Sequence, residues 1–285
     1  MVRDLSRNLR DCCINTATLG FQAPIAEVIE AVARAGFGCI APWRREVEGQ
    51  DVNAIAQHIR DAGLRLSGYC RSPYIPAASQ AAFLANIEAN RRTIDDAAIL
   101  GAPCLVMVVG SLPEGTKDIA GARKQVQEAL VTLLEHGRKS GVRIGLEPLH
   151  PVYAADRSCL SMLSEALDWC DSIEAPTENP WLGTVIDVYH VWWDPNLSQN
   201  IVRAGREKRI FGFHVCDWLV PTQDVLNDRG MMGDGIIDVP AIRALVEGAG
   251  YQGAIECEIF SARNWWRRPM DETLAVCRAR FANST

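Results

Sequence analysis

The sequence contains no C-x-x-C pair, no G-x-G-x-x-G after its first apolar run near 12–18 and no G-x-x-x-x-G-K followed by Ser or Thr. The first absence removes a zinc ribbon and a thioredoxin-type dithiol. The other two leave dinucleotide-binding and P-loop readings without the glycines that let backbone N–H groups approach phosphates. Long apolar runs are missing as well. The longest uncharged stretch, Ala97 to Pro113, is broken by Gly101, Pro103 and Gly110 and is too short for a membrane helix. The opening MVRDLSRNLRD is charged throughout and has no apolar core of signal-peptide length. Positive charge is in the minority: 29 Lys and Arg against 35 Asp and Glu leave a net −6. So acidic a chain is a poor start for gripping phosphodiester backbones. These absences point to a cytoplasmic protein with neither a membrane nor a nucleic acid as partner. In that setting the 10 cysteines read as reduced, mostly buried thiols.

What is present is an ordinary globular balance, 48% hydrophobic and 22% charged residues, arranged with a repeat. Short apolar runs recur as CCINTAT near 12–18, FGCIAP near 37–42, LRLSGYC at 64–70 and PCLVMVV at 103–109. VRIGLEP at 142–148, LGTVIDV at 182–188, IFGFHV at 210–215 and GAIECEIF at 253–260 continue the series. Each is bounded by Gly, Pro or polar residues, as a buried parallel strand should be. Between them lie amphipathic patterns at 25–36, 52–63, 77–100, 118–140, 160–172 and 239–250, with less distinct ones after Pro195 and from Asp271. Strict β–α alternation argues for a parallel sheet with helices outside it, and a count of eight favours closure into a barrel. No linker or composition break divides the chain, so residues 1–285 are expected to form one (β/α)8 TIM barrel of the α/β class.

The active site of such a barrel lies at the C-terminal ends of its strands. Those ends carry Glu147 on the fifth strand, Asp187 on the sixth, His214 on the seventh and Glu258 on the eighth, at intervals of 40, 27 and 44 residues. Four inward side chains on successive strands, each set in an otherwise apolar run, can converge on one point. Three carboxylates and an imidazole suit one divalent metal ion such as Mn²⁺, Mg²⁺, Co²⁺ or Zn²⁺. Glu256 lies two residues before Glu258 and is expected deeper on the same face, supporting the ligands. His190, in DVYH, should stand just above the ring and hydrogen-bond a substrate oxygen. His150 follows Glu147 in the next loop. Six of the 8 tryptophans, Trp43, Trp192, Trp193, Trp218, Trp265 and Trp266, fall in loops on this face. Rings beside polar groups suit a sugar-like ligand, so His150, Trp192, Trp218 and Arg229 join His190 as candidate substrate contacts.

GLEPLHP, IDVYHVWWDP, FHV with Asp217 following, GDGIIDVP and IECEIFS resemble the xylose isomerase-like TIM barrels, specifically the sugar isomerase/epimerase group. That group includes ketose 3-epimerases, inosose isomerases and dehydratases, and hydroxypyruvate isomerase-like enzymes. The resemblance runs from the first strand to the last. It implies that Glu147, Asp187, His214 and Glu258 are metal ligands, that Glu147 and Glu258 also form the acid–base pair, and that His190 binds substrate. The chain departs from the best-known ketose 3-epimerases at two positions. Their substrate-binding glutamate is Tyr153 here, and an arginine is Val220.

The chemistry expected is metal-assisted proton transfer beside a carbonyl, giving epimerisation or aldose–ketose isomerisation of a sugar or polyol-derived substrate through an enediolate. Loss of a β-hydroxyl from the same enediolate would make the protein a dehydratase of a keto-sugar or inosose. An endonuclease IV-like nuclease would need more histidines than the 5 present, and a non-catalytic sugar-binding barrel would not need two opposed carboxylates. The tryptophans and the lack of a phosphate-cradling motif favour an unphosphorylated substrate, with Arg71, Arg229 and Arg263 as the loop cations that could bind an anionic one. Alanine-rich helix faces allow a homodimer or tetramer.

Overall fold

The computed structural model describes residues 2–6 and 8–285. Its strands are β1 (Cys12–Asn15), β2 (Cys39–Ala41), β3 (Arg65–Leu66), β4 (Tyr69–Cys70), β5 (Cys104–Met107), β6 (Arg143–Leu146), β7 (Leu182–Asp187) and β8 (Ile210–Val215). A two-stranded hairpin of β9 (Asp217–Trp218) and β10 (Arg229–Gly230) follows, and β11 (Ile255–Cys257) completes the set. The main sheet runs β3-β2-β1-β11-β8-β7-β6-β5-β4 with every pairing parallel. Its two ends are the halves of one strand. The expected run at 64–70 breaks at Ser67-Gly68, so that β3 pairs with β2 while β4 pairs with β5. A parallel bridge between Trp43 and Cys70 spans the break, and the sheet nearly closes into a barrel.

The helices are α1 (Ile25–Arg34), α2 (Arg44–Val47), α3 (Val52–Asp61), α4 (Gln80–Leu100), α5 (Ile119–Ser140), α6 (Leu163–Ile173), α7 (Val188–Val191), α8 (Leu197–Arg206), α9 (Val239–Gly248) and α10 (Met270–Asn283). Side-chain caps set several starts: Asp51, Ser79, Asp118 and Asp238 each accept from the backbone N–H three residues on. Ser79 therefore starts α4 three residues later than the sequence pattern at 77–100 suggests. The single-turn helices α2 and α7 have no amphipathic signature and were not expected. Among the described residues no helix is long and apolar enough to cross a membrane.

Alternation along each strand divides the core in two. Ile14, Leu105, Ile144, Ile186, Phe213 and Ile255 point outward into the large cluster shared with the helices. The inward set is smaller in volume: Cys13, Cys39, Ala41 and Ala254 form one group, and Cys70, Val106 and Val185 another. Val185 fills the interior so closely that a Cβ on Gly145 would come within 2.7 Å of its methyl, and one on Gly212 within 3.1 Å. The same inward parity carries Asn15, Asp187, His214, Glu256 and Glu258. All ten cysteines are free and buried.

One buried ion pair fixes the turn from α6 into β7. Arg209 Nη1 donates to Glu174 Oε2 at 3.0 Å and to the Leu182 carbonyl at 2.6 Å, and both residues are buried. Glu174 also accepts from Arg138 at 2.6 Å, from Trp181 N at 3.0 Å and from Leu182 N at 3.1 Å. Burial raises its pKa, but Arg138, the two N–H groups and Arg209 outweigh that and hold the carboxyl below its ordinary value. A depressed carboxylate stabilises the fold at neutral pH, and that contribution is lost as pH falls through its folded value. Glu174→Ala leaves the buried Arg209 with only the more distant Asp171, 3.6 Å from its Nη2, as counter-charge, and should lower unfolding free energy by about 3 kcal/mol. Urea unfolding at pH 7 measures it, and the loss should shrink in acid, where the wild-type carboxyl is also neutral.

Candidate metal centre and cavity

The strand register sets the ligand levels. Asp187 on β7 pairs with His214 on β8, and His214 pairs with Glu256 on β11. Glu258, two residues beyond Glu256, stands one step nearer the mouth on the same inward face. Glu147 follows β6 directly, its N–H bonded to the Met107 carbonyl at 3.0 Å. One ligand atom from each of Glu147, Asp187, His214 and Glu258 falls within 4.8 Å of every other, and all four residues are buried. His214 Nδ1 lies 3.1 Å from Glu147 Oε1 and 3.7 Å from Glu258 Oε2.

Two atoms at this focus have no hydrogen-bond partner: Glu147 Oε1 and His214 Nδ1. Buried polar atoms are nearly always satisfied, so an orphaned oxygen and nitrogen facing one another need an explanation. A divalent ion would supply it, since donors about 2.1 Å from one centre lie up to about 4 Å apart. The far side of His214 is arranged for the same purpose. Its Nε2 lies 3.4 Å from Glu256 Oε1. Glu256 is in turn held by Asn15 Nδ2 at 2.7 Å and Ser67 Oγ at 2.5 Å. A carboxylate on the outer nitrogen of a ligand histidine fixes the ring's orientation and raises its basicity. Cys70, His214 and Glu256 form a second close group. It is the poorer metal site, because Glu256 is already hydrogen-bonded and burial, with the carboxylates nearby, pushes the Cys70 thiol well up.

Arg229 completes the electrostatics. Its Nη1 lies 3.0 Å from Asp187 Oδ2 and 3.2 Å from Glu258 Oε2. The other oxygens are engaged elsewhere, Asp187 Oδ1 by the Tyr189 N–H at 2.8 Å and Glu258 Oε1 by Asn15 Nδ2 at 3.0 Å. Burial pushes Asp187 up to about 7 even beside Arg229, and lifts Glu147 above its ordinary value. Burial would raise Glu258 too, but His214 and Arg229 bring it below. Burial opposes a charge on His214, yet Glu256, Glu147 and Glu258 outweigh it and hold the proton on the ring.

His190 stands over this cluster. The His150 N–H donates to its Nδ1 at 3.2 Å, and its Nε2 lies 3.5 Å from Asp187 Oδ2 and 3.2 Å from Arg229 Nη2. Burial and the charge of Arg229 hold the ring neutral. Both ring nitrogens thus face donors, Nδ1 the His150 N–H and Nε2 the Arg229 guanidinium.

Above the cluster is a cavity of about 310 Å³. Glu147, Glu258, His190 and Arg229 form its floor, and Phe21, Trp43, Phe260 and Trp266 line it together with Arg71, Tyr74, Tyr153 and Arg157. A wider depression of about 900 Å³ at the opposite mouth has no carboxylate or imidazole in its wall. Of the candidate substrate contacts, His190 and Arg229 line the cavity, while His150, Trp192 and Trp218 do not. Trp218 stacks on Tyr189 at 4.6 Å, with His150 at 5.0 Å and Trp192 at 5.6 Å. Their area is spent on one another behind the floor. Trp43 and Trp266 are the tryptophans at the cavity, and Arg263 lies outside it, bonded to Gln223. Asn15 was missed by sequence reasoning that read only the last four strand ends; it closes β1 in the same way.

A parallel barrel whose C-terminal mouth gathers three carboxylates and an imidazole around one point is a TIM barrel with a cluster that could hold a metal ion. The chain belongs to the xylose isomerase-like TIM barrel family, whose model matches residues 29–280. No curated protein sequence matches it. Protein SMc04130 from Sinorhizobium meliloti 1021 is 47% identical over 97% of this chain and 99% of that one, with a TM-score of 0.93. The IolI protein, whose structure has a binding zinc atom, is 16% identical over 94% and 95% of the two chains, with a TM-score of 0.78. D-psicose 3-epimerase, solved in the presence of D-fructose, is 16% identical over 96% and 100%, with a TM-score of 0.76. These last two likenesses show the shared fold.

Metal uptake should displace the protons held on His214, Glu147 and Asp187, so affinity should rise as pH rises through about 7. Glu256→Gln, which touches no ion, should weaken binding roughly 10–100-fold. Chelator competition at several pH values measures both, and an affinity indifferent to Glu256→Gln would remove that residue from the support of His214.

Proposed function

We propose that the chain is a divalent-metal-dependent isomerase or epimerase that moves a proton at the carbon beside the carbonyl of a polyhydroxy ketone or aldehyde. The observation that carries this reading is the placement of Glu147 and Glu258. Their carboxylates belong to one cluster, yet they rise from the ends of β6 and β11 with β7 and β8 between them. They therefore reach the same point from well-separated directions, as removal of a proton on one side of a carbon and its return on another requires. The names of two fold neighbours, an epimerase and a zinc-binding protein, agree with it.

Glu147, Asp187, His214 and Glu258 would hold the metal, which when bound polarises the carbonyl and stabilises negative charge developing on its oxygen. Glu147 and Glu258 carry the proton. Return to the same carbon inverts it; return to the neighbouring carbon exchanges aldose and ketose. His190 hydrogen-bonds a substrate oxygen, and Arg229, fixed by Asp187 and Glu258, orients a second. The aromatic wall of Trp43, Phe260 and Trp266 covers the C–H face and excludes water.

Incubation with a keto-sugar in D₂O should place deuterium beside the carbonyl. Glu147→Gln and Glu258→Gln keep an oxygen ligand but remove the base, so at saturating metal each should lose exchange by about 10²–10⁴-fold. Full recovery of exchange in metal-saturated Glu258→Gln would leave that residue a ligand only, and β-elimination products in place of an isomer would make the protein a dehydratase.

A further inference from the structure

The cavity carries cations besides Arg229 in its lining. Arg71 and Arg157 line it, half-buried, and Arg45 stands exposed at its rim. Among the described residues none of the three forms an ion pair with a carboxylate, whereas Arg229, Arg209, Arg243 and Arg203 each have one within 3.0 Å. The three lie near aromatic rings instead. Arg71 sits 4.5 Å from the Tyr74 ring centre and 5.9 Å from that of Trp43, Arg45 is 4.1 Å from Phe21, and Arg157 is 5.8 Å from Tyr153. Arg71 makes one side-chain hydrogen bond, a long 3.5 Å contact to the Ser72 carbonyl.

An arginine resting on a ring keeps its N–H fork free, and that fork matches the paired oxygens of a carboxylate or phosphate. The two cavity arginines also repel each other. Burial, together with the charges of Arg157 and Arg44, lowers the Arg71 guanidinium from its ordinary value. Two like charges gathered beside an enclosed space, without internal partners, leave their compensation to whatever enters it. The polyhydroxy end of a substrate is served by the floor, where Arg229 is already engaged.

We propose that the substrate carries an oxyanion, a carboxylate or a phosphate monoester, at the end remote from the reacting carbon, and that Arg71 and Arg157 bind it. This rests on the isomerase or epimerase reading for which end of the substrate reacts. It also reverses the expectation of an uncharged substrate drawn from the missing phosphate motif. That motif cradles phosphate with backbone N–H groups, whereas here side chains from two separate loops do the work.

The test uses three unreactive six-carbon polyols on the metal-loaded protein: D-glucitol, D-gluconate and D-glucitol 6-phosphate. Calorimetric titration should find at least one charged polyol bound tenfold or more tightly than D-glucitol, with the advantage shrinking as salt is added. Which one wins identifies carboxylate or phosphate as the source. Arg71→Gln and Arg157→Gln should each reduce the advantage about tenfold, Arg71→Lys should keep part of it, and Arg263→Gln, outside the cavity, should keep it all. Near-ultraviolet circular dichroism confirms folding, and Arg71→Lys serves where Arg71→Gln fails to fold. Equal or absent binding of the charged polyols overturns the proposal. So does an advantage that survives in the Arg71→Gln/Arg157→Gln double variant, which would place the anion on the metal. Deuterium exchange into a neutral keto-sugar separates the two readings: exchange without any charge advantage sinks this one alone, and a charge advantage without exchange by any sugar sinks the reaction.

Discussion

Four carboxylates, Glu147, Asp187, Glu256 and Glu258, share the buried mouth of the barrel with one imidazole and one guanidinium. Two like charges 4 Å apart cost roughly 4 kcal/mol in surroundings of intermediate polarity, so such a group cannot be assembled without compensation. Much of the surrounding structure serves this constraint. Arg229 neutralises Asp187 and Glu258, Asn15 donates to Glu256 and Glu258 at once, and Ser67 takes the remaining Glu256 oxygen. Asn15 has no spare capacity, because its own oxygen accepts from Trp43 Nε1 at 2.7 Å and from Ala17 N at 3.0 Å. Even so, four negative groups against two positive ones leave the cluster short of cations when all are ionised. The raised Asp187 and Glu147, and the proton held by His214, are the protein's answer with protons. A divalent ion would be the answer with a metal.

Bringing Arg229 to that position explains sequence features that carry no chemistry. Its strand β10 pairs antiparallel with β9, setting Arg229 opposite Trp218 and Gly230 opposite Asp217. Asp217 accepts from the N–H groups of Trp218, Gly233, Gly235 and Ile237, all at 2.8–2.9 Å. A Cβ on Gly235 would lie 2.1 Å from the Trp218 carbonyl oxygen. The GDGIIDVP segment is thus a backbone cradle wound around one carboxylate, ending in the Asp238 cap of α9. The intervening loop is anchored by two phenols, Tyr153 and Tyr189, whose hydroxyls donate to the same Val225 carbonyl at 2.5 and 2.7 Å. Tyr153 thereby gives its ring to the cavity and its polar end to the loop.

The barrel was legible because its signal is repeated. Alternating short apolar runs and amphipathic stretches name the fold even where single boundaries slip, and the four residues gathered at the mouth were legible because each interrupts or ends an apolar run. The break in the third strand was not, since LRLSGYC reads as continuous and the division at Ser67-Gly68 arises from closing the ring between β2 and β5. Loop side chains were the hardest to place. Six tryptophans could be assigned to one face of the barrel, but not to the cavity or to the stack behind it, because a ring gains by burial in either place. Arg71 was legible as a loop cation. That its neighbours would be rings and Arg157, not a carboxylate, depends on tertiary packing that leaves no mark on local sequence.

The two ends of the molecule handle buried charge in opposite ways. Beyond the other rim of the barrel, Glu174 meets two arginines and two backbone N–H groups, and the arrangement is closed to anything outside. At the C-terminal mouth the balance is left open on both sides of one cavity, with an excess of carboxylate on the floor and uncompensated guanidinium on the wall. Compensating these groups internally would require only that the floor and wall charges meet. The aromatic side chains keep them apart: Arg71 is held over Tyr74 and Trp43, and Arg229 over Tyr189 and Phe260 at 4.4 and 4.9 Å. Rings that take a cation's face without taking its hydrogen bonds preserve the separation of charge, and it is this separation that a small polar molecule bearing groups of both kinds would complete.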